Sequence, residues 1–354
     1  MKSRPFDPTR ERMAILADGS FGVLESKLAT SLLRYRPEHI TCVIDRENAG
    51  RDASDVVGVG VGVPVVRGLD AAMRHGPTLL TLGIAPPGGG LPPEWRGVIA
   101  EALSRGLHVM SGLHQFLADD AEFAALTRAS EARIWDVRRA PNDLPIGTQR
   151  ALSVPARRVL TVGSDCRTGK MVTALQLDEG ARRRRWTSAF CATGQIGMMI
   201  SGSGIAVDAV VSDFIAGATE EIILERSRAT EADWLFVEGQ GALTHPAYSG
   251  VTLGLLHGSL PDAMVLCHQP TRTQMARQSA QIPPLGRVVE INEEAASWRR
   301  PAKVVGIALN TFDMSEDGAN AVVRAAEDET SLPATDPVRF GVDPLLDGLE
   351  RAFP

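Results

Sequence analysis

The chain has 354 residues, which suggests two domains, and its 44% hydrophobic and 23% charged residues are ordinary for a globular protein with a substantial core. A formal net charge of −6 argues against a general affinity for nucleic acid or for anionic membranes. No apolar run has the length of a membrane span, and four scattered cysteines lack paired or metal-type spacing, so we expect a cytoplasmic protein.

The first part of the chain alternates short apolar segments with helical patterns. The patterns predict a strand and turn at 13–19, strands at 40–45, 78–90 and 108–114, and helices at 22–35 and 93–106. This alternation is typical of a parallel sheet with right-handed crossovers. Residues 1–150 are therefore predicted to form a Rossmann-like α/β domain. Asp45 and the glycines at 83–90 match a dinucleotide site only in part, because no G-x-G-x-x-G follows the first strand.

A second α/β domain is predicted at residues 151–354. The segment 138–158 is rich in proline and charge and is interpreted as a linker. Strand patterns follow at 158–163, 187–194, 233–241, 262–269 and 302–310, with helical patterns between them.

The sequence LTVGSDCRTGKM (160–171) has the pattern of a phosphate-binding loop. A strand leads into a glycine-rich turn, and a lysine stands at the start of a helix. Converging backbone N–H groups, the helix dipole and the lysine charge together favour an anion. The candidate binding residues are Gly163, Ser164, Cys166, Arg167, Thr168, Gly169, Lys170 and Met171.

Two features of this loop indicate phosphate binding without a metal ion. Only four of the 37 basic residues are lysines, so a lysine at position 170 is a specific choice. The usual G-x-x-x-x-G-K-[ST] motif supplies a hydroxyl for Mg²⁺ after the lysine, whereas this chain has Met171 there and a loop longer by one residue. Thr173 lies about 200° further around the helix and does not replace that hydroxyl.

The extended loop resembles that of dethiobiotin synthetase and its relatives. The sequence VEG (237–239) resembles a strand end of the same enzymes, which places Glu238 where ligands bind in α/β sheets. The resemblance also implies that Asn310 and Asp313 read a purine, although such residues after a strand are commonly turn formers.

A longer series of motifs covers nearly the whole chain, at 83–95, 111–117, 162–171, 192–221, 237–259 and 261–272. On these motifs the chain is identified as a member of a P-loop family long catalogued as of unknown function. Members of that family are now assigned as D-amino acid N-acetyltransferases acting on D-glutamate. The resemblance implies acetyl-CoA as the acetyl donor, a D-amino acid as the acceptor, and a P-loop NTPase-like C-terminal domain. Coenzyme A transfers no phosphoryl group, which accounts for Met171.

The chemistry implied by the resemblance requires a base, because an ammonium group must lose a proton before it attacks a thioester. The candidate catalytic residues are Glu238, His245 and Asp165; the last of these could instead cap backbone amides. Cys166 at a helix N-terminus could form an acetyl-enzyme, or it could simply fit the turn.

The two carboxylates of a D-glutamate-like substrate favour arginine partners, for which Arg272 is the first candidate and Arg277 the second. Asp208 and Asp213 are candidates for the substrate ammonium or for helix capping. Ser203, in the SGSG segment, completes the substrate-binding set.

Two alternatives remain open: an ATP- and Mg²⁺-dependent ligase or kinase of the dethiobiotin synthetase type, and a non-catalytic nucleotide or coenzyme A sensor. We expect no metal cofactor, no nucleic-acid or membrane partner, and a homodimer.

Overall fold

The computed structural model describes residues 5–23, 25–84, 86 and 88–353, and within these the chain divides into two compact units. Unit 1 contains Met1–Pro141 and the later segment Gln195–Ala206. Unit 2 contains Asn142–Gly194 and Val207–Pro354. The domain boundary at residue 150 stays a sequence prediction. That prediction placed Gln195–Ala206 in the second domain together with the residues on either side of it.

Unit 1 is built on a six-stranded parallel sheet in the order β3-β2-β1-β4-β5-β6. This order is that of the Rossmann fold. Its strands are β1 (Met13–Leu16), β2 (Ile40–Ile44), β3 (Val65–Val66), β4 (Leu79–Leu82), β5 (His108–Ser111) and β6 (Ile134–Asp136). The first helices are α1 (Lys27–Tyr35), α2 (Ala53–Val57), α3 (Leu69–Met73), α4 (Arg96–Ser104) and α5 (Ala121–Ala129).

Unit 2 is built on a second six-stranded parallel sheet, in the order β12-β11-β10-β7-β9-β8. Its strands are β7 (Arg157–Gly163), β8 (Ser188–Cys191), β9 (Trp234–Val237), β10 (Ala263–His268), β11 (Lys303–Leu309) and β12 (Ala334–Thr335). Its helices are α6 (Lys170–Arg183), α8 (Ile215–Thr230), α9 (Ser249–Ser259), α10 (Leu285–Ser297), α11 (Glu316–Thr330) and α12 (Asp343–Ala352), whereas α7 (Gln195–Ser201) belongs to unit 1.

The α/β fold class and the positions of the long strands agree with the sequence prediction, because strands buried on both faces read as continuous apolar runs. The predicted helix at 22–35 begins later, at Lys27, after a turn segment in which Leu24 lies outside the described residues. The strand predicted at 78–90 ends at Leu82. Ala85 and Pro87 of that prediction are likewise outside the described residues. The two-residue strands β3 and β12 were missed because they are too short to show a pattern.

In unit 1, the side chain of Asp45 is hydrogen-bonded to the loop that follows β1. Its carboxylate is fully buried and accepts hydrogen bonds from the backbone N–H of Gly19 and from the backbone and side chain of Asn48. The side chain therefore shapes this loop. A cavity of 430 Å³ opens nearby, lined in part by Asp18, Ile84 and Trp95.

In unit 2, the chain direction across the sheet reverses between β7 and β10. The strands that follow β7 in sequence first fill one side, as β8 and β9, and then the other, beginning with β10. Ligands of open α/β sheets bind outside the carboxyl ends of the strands at such a point. The loop after Gly163 lies at this position.

Across the described residues, no helix combines the length and the apolar character needed to cross a bilayer.

Candidate active site

The loop between β7 and α6 is folded around the ammonium group of Lys170. This side chain is 5% exposed, and its Nζ donates to the backbone carbonyl of Asp165 at 2.7 Å and to Thr168 Oγ1 at 3.4 Å. Burial lowers the pKa of Lys170. A Cβ on Gly163 would lie 2.7 Å from Nζ, so glycine is needed there to leave room for the lysine. A buried cation beside a helix N-terminus is the arrangement that an anion site requires.

Asp165 and Arg272 form an ion pair that links this loop to the segment after β10. The fully buried Asp165 carboxylate accepts from Arg272 Nη1 at 2.7 Å, from the N–H of Ala276 at 2.8 Å and from the N–H of Cys166 at 2.7 Å. Burial alone would raise the pKa of Asp165, but the hydrogen bonds from Arg272, Ala276 and Cys166 hold it below its usual value. A carboxylate with these three donors is a poor proton acceptor, so its geometry favours the amide-capping role over catalysis.

Arg272 is also engaged within the protein rather than directed at open solvent. Besides Asp165, its Nη1 donates to the carbonyl of Cys166 at 2.7 Å, and its Nη2 donates to Gln269 Oε1 at 2.7 Å. Arg272, which the sequence predicted to bind substrate, thus links the segment after β10 to the loop between β7 and α6.

Glu238 follows β9 and has the chemical character of a base. Its side chain is buried, and Oε2 accepts from the N–H groups of Thr193 at 3.0 Å and Gly194 at 3.1 Å. Burial and, to a smaller degree, the charge of Asp208 raise the pKa of Glu238 to about 7, against the opposing effects of the two N–H groups and Lys170. A carboxyl group poised near neutral pH suits proton transfer in both directions.

The segment after β9 is packed tightly against β7, which fixes the position of Glu238. The next residue, Gly239, donates its N–H to Thr161 Oγ1 at 2.9 Å, and a Cβ at Gly239 would lie 1.6 Å from the carbonyl oxygen of Thr161. No side chain fits at that distance. Gln240 secures the other side by donating from Nε2 to the carbonyl of Thr193 at 2.6 Å.

His245 is 1% exposed, and both of its ring nitrogens have partners. Its Nδ1 accepts from the N–H of Ala247 at 3.1 Å, which places the ring proton on Nε2, 3.2 Å from the carbonyl of Ala276. An acceptor nitrogen that is buried and already bonded is not positioned to take a substrate proton. The geometry therefore favours Glu238 over His245 as the base.

Asp165, Cys166 and His245 bring atoms that can ligate a metal within 4.8 Å of one another. The Asp165 carboxylate is, however, paired with Arg272, and His245 Nε2 carries a proton toward Ala276. Burial and the charge of Asp165 raise the pKa of Cys166. The thiolate, which is the form that ligates a metal or attacks an acetyl donor, is therefore disfavoured. These residues form a hydrogen-bonded support for the loop.

The remaining predicted residues lie in several places. Ser164 is buried, Arg167 is exposed with φ 59°, and Asn310 lies close to Gly169, since a Cβ on that glycine would be 3.9 Å from Asn310 Cβ. Asp313 accepts from Thr271 Oγ1 at 2.7 Å, and Arg277 is exposed on the same segment as Arg272. Asp208 and Asp213 are exposed in two short 3₁₀ helices before α8, Val207–Ala209 and Ser212–Phe214, and Ser203 belongs to unit 1.

Sequence reasoning missed two groups that contact the site. His268, at the end of β10, has its Nδ1 2.8 Å from Ser164 Oγ, and burial lowers its pKa to about 4. Thr193 and Gly194, after β8, supply the N–H groups that hold Glu238. The sequence did contain a pattern that could have indicated these residues, because residues directly after buried parallel strands meet at one edge of the sheet.

An interior parallel strand that leads into a glycine-rich loop around a buried lysine defines a P-loop α/β protein, preceded here in sequence by a Rossmann-like unit. The P-loop domain described as DUF1611, a domain of unknown function, matches residues 145–346. Its N-terminal Rossmann-like counterpart matches residues 46–140. The chain belongs to the DUF1611 family, which confirms the family resemblance found in its sequence.

Three relatives are similar to this chain over nearly its whole length. Proteins from Tritonibacter scottomollicae and a Pseudoalteromonas species, each named D-glutamate N-acetyltransferase, are 36% and 37% identical to it, with 92% of this chain and 95% of each relative covered. The crystal structure of a DUF1611 family protein from Anabaena variabilis has a TM-score of 0.90 and 40% identity, with 97% of this chain and all of that chain covered.

Proposed function

We propose that this protein is a D-glutamate N-acetyltransferase, an acyltransferase that uses acetyl-CoA as its donor. The names of two relatives, each matching 92% of the chain, support the reaction. The structural observation that carries the proposal is Glu238, a buried carboxyl group with a pKa raised to about 7 beside a phosphate-type loop.

In the proposed reaction, the substrate enters as an ammonium ion near two carboxylates. The charge of Asp208 acts on Glu238, so a cation bound between them would be stabilised by both. The deprotonated Glu238 takes one proton from the ammonium group, and the neutral amine attacks the thioester carbonyl carbon of the donor. A C–N bond forms, the C–S bond breaks, and the thiolate that leaves takes up the second proton, which the nitrogen loses as the amide forms. Glu238 then releases its proton to solvent.

The anion site fits the phosphates of coenzyme A better than a phosphoryl donor. Lys170 and the N-terminus of α6 supply positive charge, while Met171 supplies no oxygen for Mg²⁺. Thr173 is buried and its Oγ1 faces Cys267 Sγ at 3.4 Å, so its hydroxyl is engaged in the core beside β10. An enzyme that moves an acetyl group needs to hold these phosphates without activating them.

Free-thiol release from acetyl-CoA tests the proposal, measured with D-glutamate, L-glutamate and a panel of other D-amino acids. We expect release with D-glutamate, little with L-glutamate, and a product heavier by one acetyl group in mass spectrometry. Release of no thiol with any D-amino acid contradicts the proposal. ATP turnover that requires Mg²⁺ and is lost in Lys170→Ala would instead support the ligase or kinase alternative, and tight coenzyme A binding without turnover would support a sensor.

A further inference from the structure

Three large apolar side chains are exposed in the segments that follow the neighbouring strands β11 and β12. Phe312 is 57% exposed, Val338 49% and Phe340 37%. The two strands are neighbours and run parallel, so the loops that follow them meet at the same edge of the sheet. We refer to these two phenylalanines and the valine as the aromatic ledge, after the two rings. Exposed aromatic residues at the ligand edge of a sheet indicate a binding surface.

The ledge is held by an ordered network. Buried Asp336 accepts from the N–H and the hydroxyl of Thr311, at 3.0 and 2.6 Å, and also from the N–H groups of Val338 and Arg339. Arg339 Nη2 returns to the first loop, donating to the carbonyl oxygens of Thr311 and Met314. The rings are therefore presented by loops that are fixed to one another, which reduces the entropy lost when a ligand binds.

The ledge is continuous with the anion site. Asn310, two residues before Phe312, lies beside Gly169 of the loop and donates its N–H to the carbonyl of His268. Asp313, one residue after Phe312, accepts from Thr271 and Gln269, and Gln269 in turn accepts from Arg272. A ligand with phosphates in the loop and a flat base would reach both surfaces.

Arg339 adds a charge to this surface. Arg339 is exposed, and the side-chain hydrogen bonds that it makes within the described chain come from Nη2. Its other guanidinium N–H groups can therefore meet a phosphate at the edge of the ledge. Coenzyme A carries a phosphate on the 3′-oxygen of its adenosine, whereas ATP does not.

We propose that the aromatic ledge stacks the adenine of the acetyl donor and that Arg339 pairs with the 3′-phosphate. The proposal rests on the proposed function, because it assigns the far end of the same donor. It makes Phe312 and Phe340 determinants of affinity for the base and Arg339 the determinant of selectivity for the 3′-phosphate.

Calorimetric titration with three ligands tests the ledge: coenzyme A, dephospho-coenzyme A, which lacks the 3′-phosphate, and 4′-phosphopantetheine, which lacks the adenosine. In Phe312→Ala and Phe340→Ala, we expect affinity for the first two ligands to fall by about 5- to 150-fold, the range of base–aromatic stacking. Affinity for 4′-phosphopantetheine should be unchanged. Trp298→Ala is the matched control, since Trp298 is as exposed as Phe312 at 57% but lies after α10.

Substitutions of Arg339 separate its charge from its structural role. Arg339→Lys keeps the charge and should keep the preference for coenzyme A over dephospho-coenzyme A. Arg339→Gln keeps an amide donor for the carbonyl oxygens and should lose that preference. Equal preference in both variants would contradict the charge assignment.

The outcomes distinguish this proposal from the proposed function. If the wild-type protein binds coenzyme A and both phenylalanine variants bind it equally well, the ledge is wrong and the acetyl-CoA assignment stands. If the wild-type protein binds neither coenzyme A nor 4′-phosphopantetheine, both proposals fail. A change of oligomeric state in the phenylalanine variants, with ligand affinity unchanged, would assign the ledge to contact with a second copy and overturn its role in binding the base.

Discussion

Glu238 is the single residue on which the proposed chemistry depends most. In Glu238→Gln the amide oxygen can still accept from Thr193 and Gly194, but the side chain no longer takes a proton. We expect kcat to fall by about 10²- to 10⁴-fold, the usual contribution of a general base. Thiol release measured from pH 5 to pH 9 should rise through about pH 7 in the wild type and lose this step in the variant. Glu290→Gln, at an exposed site on α10, is the control. A variant with wild-type kcat and an unchanged pH profile would exclude Glu238 as the base.

The same residue predicts a pH-dependent cost in stability. Burial raises its pKa from 4.5 to about 7, so the folded protein binds this proton more tightly than the unfolded chain does. The free energy of unfolding therefore falls as the pH rises from below 4.5 through 7, by up to about 3 kcal/mol. Urea unfolding should show Glu238→Gln to be more stable than the wild type at pH 8 and equal to it at pH 4. A difference that does not change with pH would contradict the raised pKa.

Lys170 makes a separate prediction about binding. A charged hydrogen bond to a phosphate contributes about 1.5–3 kcal/mol, so Lys170→Ala should weaken coenzyme A binding by about 10- to 150-fold. Lys303→Ala is a matched control, because Lys303 is one of the other three lysines and has a side chain 78% exposed, paired with Glu293. Equal losses in the two variants, measured by calorimetry, would mean that a general charge effect and not the loop is responsible.

Among the elements, the connection between the loop after β7 and the segment after β10 is the most specific. Asp165→Asn removes the charge that pairs with Arg272 and places an amide NH₂ against donors that already face both oxygens. Breaking a buried pair costs about 3–5 kcal/mol, and Arg272 retains 22% side-chain exposure, so we expect a loss of about 2–4 kcal/mol. Chemical denaturation at pH 7 measures this loss, with Glu290→Gln as the exposed control. A loss below about 1 kcal/mol would show that the loop does not depend on this pair.

The sequence predicted elements better than contacts between them. The apolar run of β7, the glycines and Lys170 lie within a few residues of one another, so local pattern sufficed to predict the loop. Arg272 is 107 positions from Asp165 in sequence, and its residue type and its position after a strand end favoured a substrate carboxylate as its partner. The pairing depends on β10 lying directly beside β7, a neighbour relation that local periodicity does not encode. His268 was missed for the same reason.

At the scale of the whole molecule, the chain leaves unit 2 after Gly194 and returns at Val207, while the intervening segment packs in unit 1. Arg36 donates from Nη1 to the carbonyl of Ile200 there, and α7 contacts α1. The two ends of the excursion are close in space, since the N–H of Val207 donates to the carbonyl of Thr193 at 2.8 Å. A short linker can therefore join Gly194 to Val207 in place of the segment.

This connection predicts how an isolated unit 2 would behave. Residues 142–354 with Gln195–Ala206 replaced by a short Gly-Ser linker should be monomeric and should melt cooperatively. With the native segment retained, the side chains of Met198, Met199 and Ile200, each at most 5% exposed in the full chain, lose their partners in unit 1. Exposing such side chains costs about 1.5–3 kcal/mol each, so that version should aggregate or bind an apolar dye. Size-exclusion chromatography and thermal melts compare the two versions. Equal behaviour would mean that the segment finds apolar cover within unit 2 and that unit 1 is not its necessary partner.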